Sequence, residues 1–122
     1  MDIQAFQAWL DRYADACREN DAEMARDLFA EDVEYVNKPF VESWSGRDAI
    51  LVRWEDDPEE HEGFECTVEA IAFNEATNAG AAQWWAAYPN YETKEFESAL
   101  LVWFDPSGKC KKFVEYYAGK PG

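Results

Sequence analysis

Ile3, Phe6, Leu10, Tyr13 and Cys17 recur at helical spacing, Trp9 and Ala16 widen the apolar stripe, and Asp2 precedes it as a side chain able to cap a first turn. The pattern predicts an amphipathic helix with one buried face. Asn20 and Asp21 interrupt it, and Asp21 can cap a short second helix that buries Ala25, Leu28 and Phe29, closing a helical hairpin. After Glu31 and Asp32 the period changes to two, with Val33, Tyr35 and Asn37 on one face and Glu34 and Val36 on the other, until Pro39 ends the strand. Ser45, with Asp48 three residues on, has the form of a capping box; it predicts a third helix from near Gly46 with Ile50, Leu51 and Trp54 facing inward. The acidic run that follows, Glu55, Asp56, Asp57, Glu59, Glu60 and Glu62 around Pro58, is too densely like-charged to pack and predicts a solvated loop.

Four aromatic and β-branched runs then span 64–73, 81–88, 91–104 and 110–117, separated by Asn78 and Gly80, by Pro89 and Asn90, and by Asp105, Pro106, Ser107 and Gly108. These are strands of a meander. Helices first and an antiparallel sheet afterwards define an α+β fold with the helices laid across one face of a curved sheet. A length of 122 residues fits one domain spanning 1–122.

Composition narrows the function. Aromatic residues make up 16% of the chain, including six Trp and eight Phe, which is too much apolar surface for a disordered segment and demands a core, a pocket or an interface. The formal charge of −15 repels phosphate backbones, so no nucleic-acid partner is expected. No membrane-length apolar stretch or leader pattern occurs, which reads as cytoplasmic. Cys17, Cys66 and Cys110 are widely spaced, and His61 is the chain's one histidine; neither pattern suggests a metal site, a disulfide framework or a nucleophilic pair, and no cofactor is expected.

Four segments in this order, Phe29-Ala30-Glu31-Asp32, Tyr35-Val36-Asn37-Lys38-Pro39, Gly46-Arg47-Asp48-Ala49-Ile50 and Gly108-Lys109 through Glu115-Tyr116-Tyr117, make the chain resemble the nuclear transport factor 2-like superfamily, especially its SnoaL-like branch. The resemblance covers nearly the whole length. It implies a cone-shaped, cystatin-like fold in which three N-terminal helices pack on the curved sheet around a pocket for a small hydrophobic organic ligand. Within the superfamily the Tyr-x-Asn-x-Pro segment and the acidic residue before the terminal aromatic pair look most like limonene-1,2-epoxide hydrolase. There a Tyr, an Asn and an Asp hold the attacking water, and these roles fall on Tyr35, Asn37 and Glu115. The same enzymes carry an Arg-x-Asp pair whose positions here are Ala82 and Trp84, so the general acid has no counterpart. Tyr13 resembles the oxyanion-binding Tyr of ketosteroid isomerase, but that enzyme's base and acid fall on Asn37 and Leu100, which can do neither job.

Strand alternation places Phe113, Glu115 and Tyr117 on the inward face, where a carboxylate flanked by aromatics loses solvation and becomes a stronger base once ionised. Asn37 and Tyr35 can add a donor, an acceptor and a hydroxyl to hold a water. The ligand walls are expected from Trp9, Tyr13, Trp54, Trp84, Leu100, Phe113 and Tyr117. Each assignment has a structural alternative: Glu115 as a strand-end carboxylate paired with Lys111 or Lys112, Tyr13 and Tyr35 as core, Asn37 as a turn former. Two functions therefore stay open, a cofactor-free hydrolase, isomerase or cyclase using Glu115 as base, and a non-catalytic binding or dimerisation domain with a filled pocket. On the outer face Trp85, Leu101, Trp103 and Tyr116 form an apolar patch that predicts a homodimer.

Overall fold

The computed structural model describes residues 1–55 and 57–121. Helix α1 (Ile3–Glu19) begins where expected, the Asp2 carboxylate accepting from the Ala5 N–H at 2.8 Å, and it ends at Asn20 in the left-handed region. Phe6, Trp9, Leu10, Tyr13 and Ala16 are buried, whereas Ile3, one turn before the sheet is reached, is 45% exposed. Helix α2 (Ala22–Arg26) is capped by Asp21 and hands the chain directly to β1 (Phe29–Lys38).

The β1 strand turns back into β2 (Glu42–Ser45), a hairpin strand that periodicity does not reveal. Ser45 is paired with Glu34 inside that hairpin, so no capping box forms. Helix α3 (Arg47–Leu51) starts instead from Gly46 at φ 90°, with no side-chain cap; the Gly46 N–H is held at 2.7 Å by the Val33 carbonyl, which fixes the chain as it leaves the sheet. Within the acidic run lies a further one-turn helix, α4 (Pro58–His61), where a loop was expected. Asp57 accepts from the Glu59 N–H and Pro58 occupies the first turn, so capping chemistry outweighs charge repulsion there. Asp56, part of the same run, lies outside the described residues.

Strands β3 (Glu65–Asn74), β4 (Ala79–Ala87), β5 (Glu95–Phe104) and β6 (Cys110–Gly119) form the expected antiparallel meander, and the six strands run in the order β2-β1-β6-β5-β4-β3. One pairing departs from an all-antiparallel sheet: β1 lies parallel to β6, aligning Tyr35 with Phe113. The strand β5 begins only at Glu95, because Tyr88 N–H donates to the Lys94 carbonyl and 89–94 form the turn. Register shifts at 36–38 and 70–72 help bend the sheet, which curves without closing. The helix α1 sits close against the bent sheet: a Cβ on Gly80 would lie 2.4 Å from the Phe6 ring, so only glycine lets β4 pass beneath α1. Among the described residues no helix is long and apolar enough to cross a membrane.

Candidate functional site

The inner faces of the strands are set by alternation, and the parallel register of β1 with β6 decides what meets at the floor. Along β6, Phe113, Glu115 and Tyr117 point inward; Leu100 lies opposite Glu115, and Ser98 lies opposite Tyr117. On β4, Ala82 and Trp84 face Leu100 and Ser98. Two adjoining cavities of about 270 and 200 Å³ open over this floor, and both are lined by Asn37, Trp84, Tyr88, Tyr91 and Glu115.

Glu115 accepts a short hydrogen bond, 2.6 Å, from the Ser98 hydroxyl. Burial pushes its carboxyl above the usual range, and the Ser98 bond, which favours the charged form, pulls it part of the way back. The surface alternative involving Lys111 or Lys112 does not occur: the side chain lines the cavities, and Lys112 lies over the Trp103 ring on the opposite face.

Tyr35 and Asn37 flank the same space but are already engaged. The Tyr35 hydroxyl is 2.9 Å from that of Tyr13, and burial drives both phenols well above their ordinary pKa, so both stay protonated. The Asn37 amide donates at 2.6 Å to Glu42 of the unforeseen strand β2. The three candidate catalytic residues thus border one cavity, while the direct hydrogen bond to Glu115 comes from Ser98.

Of the expected walls, Tyr13, Trp54 and Trp84 line the larger cavity and Tyr117 the smaller. Trp9, Leu100 and Phe113 are instead packing residues beneath the floor. Phe113 has its faces covered by Tyr35 at 4.6 Å and Tyr13 at 5.2 Å. Trp9 stacks under Tyr13 and spends its indole N–H on the Leu28 carbonyl, and Leu100 is only 1% exposed. Sequence reading missed Ser98, Trp44, Arg53, Tyr88 and Tyr91. Ser98 has the parity of Leu100 and could have been found as the short polar residue on an inward strand face; Trp44 required knowledge of β2.

His61 lines the larger cavity too, its Nε2 3.0 Å from the Arg18 carbonyl oxygen and its ring stacked on Phe64. Cys17 is half-buried on the same wall, whereas Cys66 and Cys110 are buried, and burial pushes the Cys66 thiol up to about 11, which suits packing rather than reactivity. Among the described residues no group of His, Cys, Asp and Glu is arranged to hold a metal ion.

A curved sheet packed against N-terminal helices thus carries an aromatic cavity bordered by Glu115. Residues 10–113 match the SnoaL-like domain family, and the chain belongs to it. Its structure is similar to that of a protein of unknown function with cystatin-like fold from Methylobium petroleophilum PM1, with TM-score 0.81 and 22% identity over 100% of this chain and 81% of that one. It is also similar to a candidate ketosteroid isomerase from Kribbella flavida DSM 17836, with TM-score 0.75, 18% identity and coverage of 100% and 85%. An NTF-2 like protein of unknown function from Burkholderia xenovorans LB400 matches with TM-score 0.71, 14% identity and coverage of 98% and 87%. At these identities the likeness carries the fold alone. No curated protein matches the sequence.

Proposed function

We propose that this SnoaL-like chain takes up a small, largely apolar organic molecule in the aromatic cavity and that Glu115 is the group that acts on it or anchors it. One observation carries this reading: a desolvated carboxylate, held by Ser98, faces open space rather than filled core. A cavity of about 270 Å³ with a second of about 200 Å³ beside it lies near the small end of ligand sites, which run roughly 300–1,000 Å³. In a catalytic role Glu115 is the base, and its raised pKa brings proton affinity closer to neutrality. Tyr13 and Tyr35, kept protonated, supply hydroxyls for a ligand oxygen.

The non-catalytic reading has its own support. Asn37 is tied to Glu42 and the two phenols to one another, so water-holding would require both arrangements to open. A thermal-shift panel of small aromatic and terpenoid compounds separates a ligand-accepting pocket from a filled one, because a ligand selective for the native state raises the melting temperature. On any substrate so found, Glu115→Gln is expected to lower turnover by about 10²–10⁴ while the fold is retained. Full activity in that variant would remove Glu115 from the chemistry and leave binding.

A further inference from the structure

We propose that the cavity is built for a small organic cation, an amine or quaternary ammonium that pairs with Glu115 while its charge lies against the aromatic walls. This rests on the pocket reading above and narrows it to a ligand class.

The first ground is the missing countercharge. Among the described residues Glu115 receives one side-chain hydrogen bond, from the neutral Ser98 hydroxyl, and no Lys or Arg forms an ion pair with it; the pairs seen, Arg18–Asp15, Arg26–Glu23 and Lys120–Glu95, all lie at the surface. A carboxylate withdrawn from water gains from a paired countercharge, and a ligand ammonium can supply that partner.

The second ground is the wall. Eight of the fifteen residues lining the larger cavity are Phe, Tyr or Trp, whose ring faces are electronegative and attract cations. The protein already uses two of the lining rings in this way. The Arg53 guanidinium lies 5.2 Å over Trp44 of one cavity, and the Lys38 ammonium lies 5.3 Å over Tyr117 of the other. Glu115 borders both cavities and has neither cation. An anionic ligand would have to turn away from Glu115 toward Arg53, whose guanidinium is exposed and also donates to the Ala49 carbonyl at 2.8 Å. The net charge of −15 further favours the approach of cations over anions.

The groups around Glu115 define the pH dependence. Tyr13 and Cys17 face the cavities from α1, Tyr35 and Asn37 from β1, Ser98 from β5, Tyr117 from β6 with the Lys38 ammonium over its ring, and Tyr88 and Tyr91 from the segment between β4 and β5, with Arg53 and His61 on the same wall. The two phenols stay protonated through burial. Glu115 pairs with an ammonium only when ionised, so cation affinity falls as pH drops through its folded-state pKa, while a neutral ligand is indifferent to that titration.

The test is calorimetric titration of the whole chain with benzylamine, benzyl alcohol and benzoate at pH 7.5 and pH 4. Benzylamine is expected to bind roughly ten- to a hundredfold tighter than benzyl alcohol at pH 7.5, combining a cation–π contact with a charge-assisted hydrogen bond. That preference should shrink at pH 4 and in Glu115→Gln. Equal or tighter binding of the alcohol sinks the cation inference and leaves the pocket reading in place. Tightest binding of benzoate, or an amine preference that survives in Glu115→Gln, overturns it as well. If none of the three binds at millimolar concentration the inference also fails, whereas a hit from the wider thermal-shift panel would still uphold the pocket.

Discussion

Ser98→Ala removes the side-chain hydrogen bond that, among the described residues, favours the charged form of Glu115. Ser98 is 5% exposed, and its hydroxyl donates to Glu115 at 2.6 Å, a length typical of a hydrogen bond to a charged acceptor. Such bonds contribute about 1.5–3 kcal/mol, against about 0.5–1.5 kcal/mol between neutral partners. Burial raises the Glu115 pKa and the Ser98 bond lowers it, so removing the hydroxyl raises it further. The native state then binds its proton more tightly than the unfolded chain over a wider range. Stability is lost as pH rises through the folded pKa, and it is unaffected by this term below the unfolded value. Ser98→Ala is therefore expected to cost about 1.5–3 kcal/mol at pH 7.5 and distinctly less at pH 4, where Glu115 is mostly protonated in both states. Urea unfolding of wild type and variant at both pH values reads the difference, and carboxyl titration by NMR reads the pKa directly. The reasoning fails if the two penalties are equal and the Glu115 titration does not move.

Two further outcomes concern the sheet's outer face and the reaction class. We propose a homodimer through the outer face, where Trp85, Leu101 and Trp103 are half-buried and Tyr116 is 51% exposed; sedimentation at tens of micromolar should give the dimer mass, and Trp103→Glu should shift it toward monomer. A monomeric wild type would refute the assignment. Limonene-type epoxides are expected to be opened weakly at best, since the resemblance to limonene-1,2-epoxide hydrolase puts that family's Arg-x-Asp pair at Ala82 and Trp84, neither of which is an acid; efficient opening by the purified chain would require an acid elsewhere.

How much of this was legible in the chain differs by element. The α1 stripe and the alternation in β4, β5 and β6 set most of the fold, because each is a long segment whose burial follows its own period. The hairpin was hidden: Glu42–Ser45 is four residues with little burial, and its turn relies on Phe40 at φ 67°, a conformation that a bulky residue rarely adopts. That single omission propagated into the site. Without β2 nothing marks Glu42 as the partner of Asn37, or Trp44 as a wall. Glu115 and Trp84 could be aimed inward by parity alone. The Tyr13–Tyr35 bond joins residues 22 apart on different elements and depends on how the helix is docked, which no local pattern encodes.

Trp84 ties the missing acid to the behaviour of Glu115. It is 6% exposed, its ring meets Tyr13 edge-on at 5.3 Å, and it lines both cavities beside Glu115. A carboxylic acid at that position would share a proton with Glu115 or repel it as a second charge, splitting their pKa values. An indole does neither. It stands where the resemblance to limonene-1,2-epoxide hydrolase would put an acid, and it places apolar surface beside Glu115. Glu115, its serine donor and a protonated pair of phenols share that cavity with Asn37, Arg53 and His61. Such a set can accept a proton, orient an oxygen or pair with a cation, and burial makes its two phenols weaker general acids than usual.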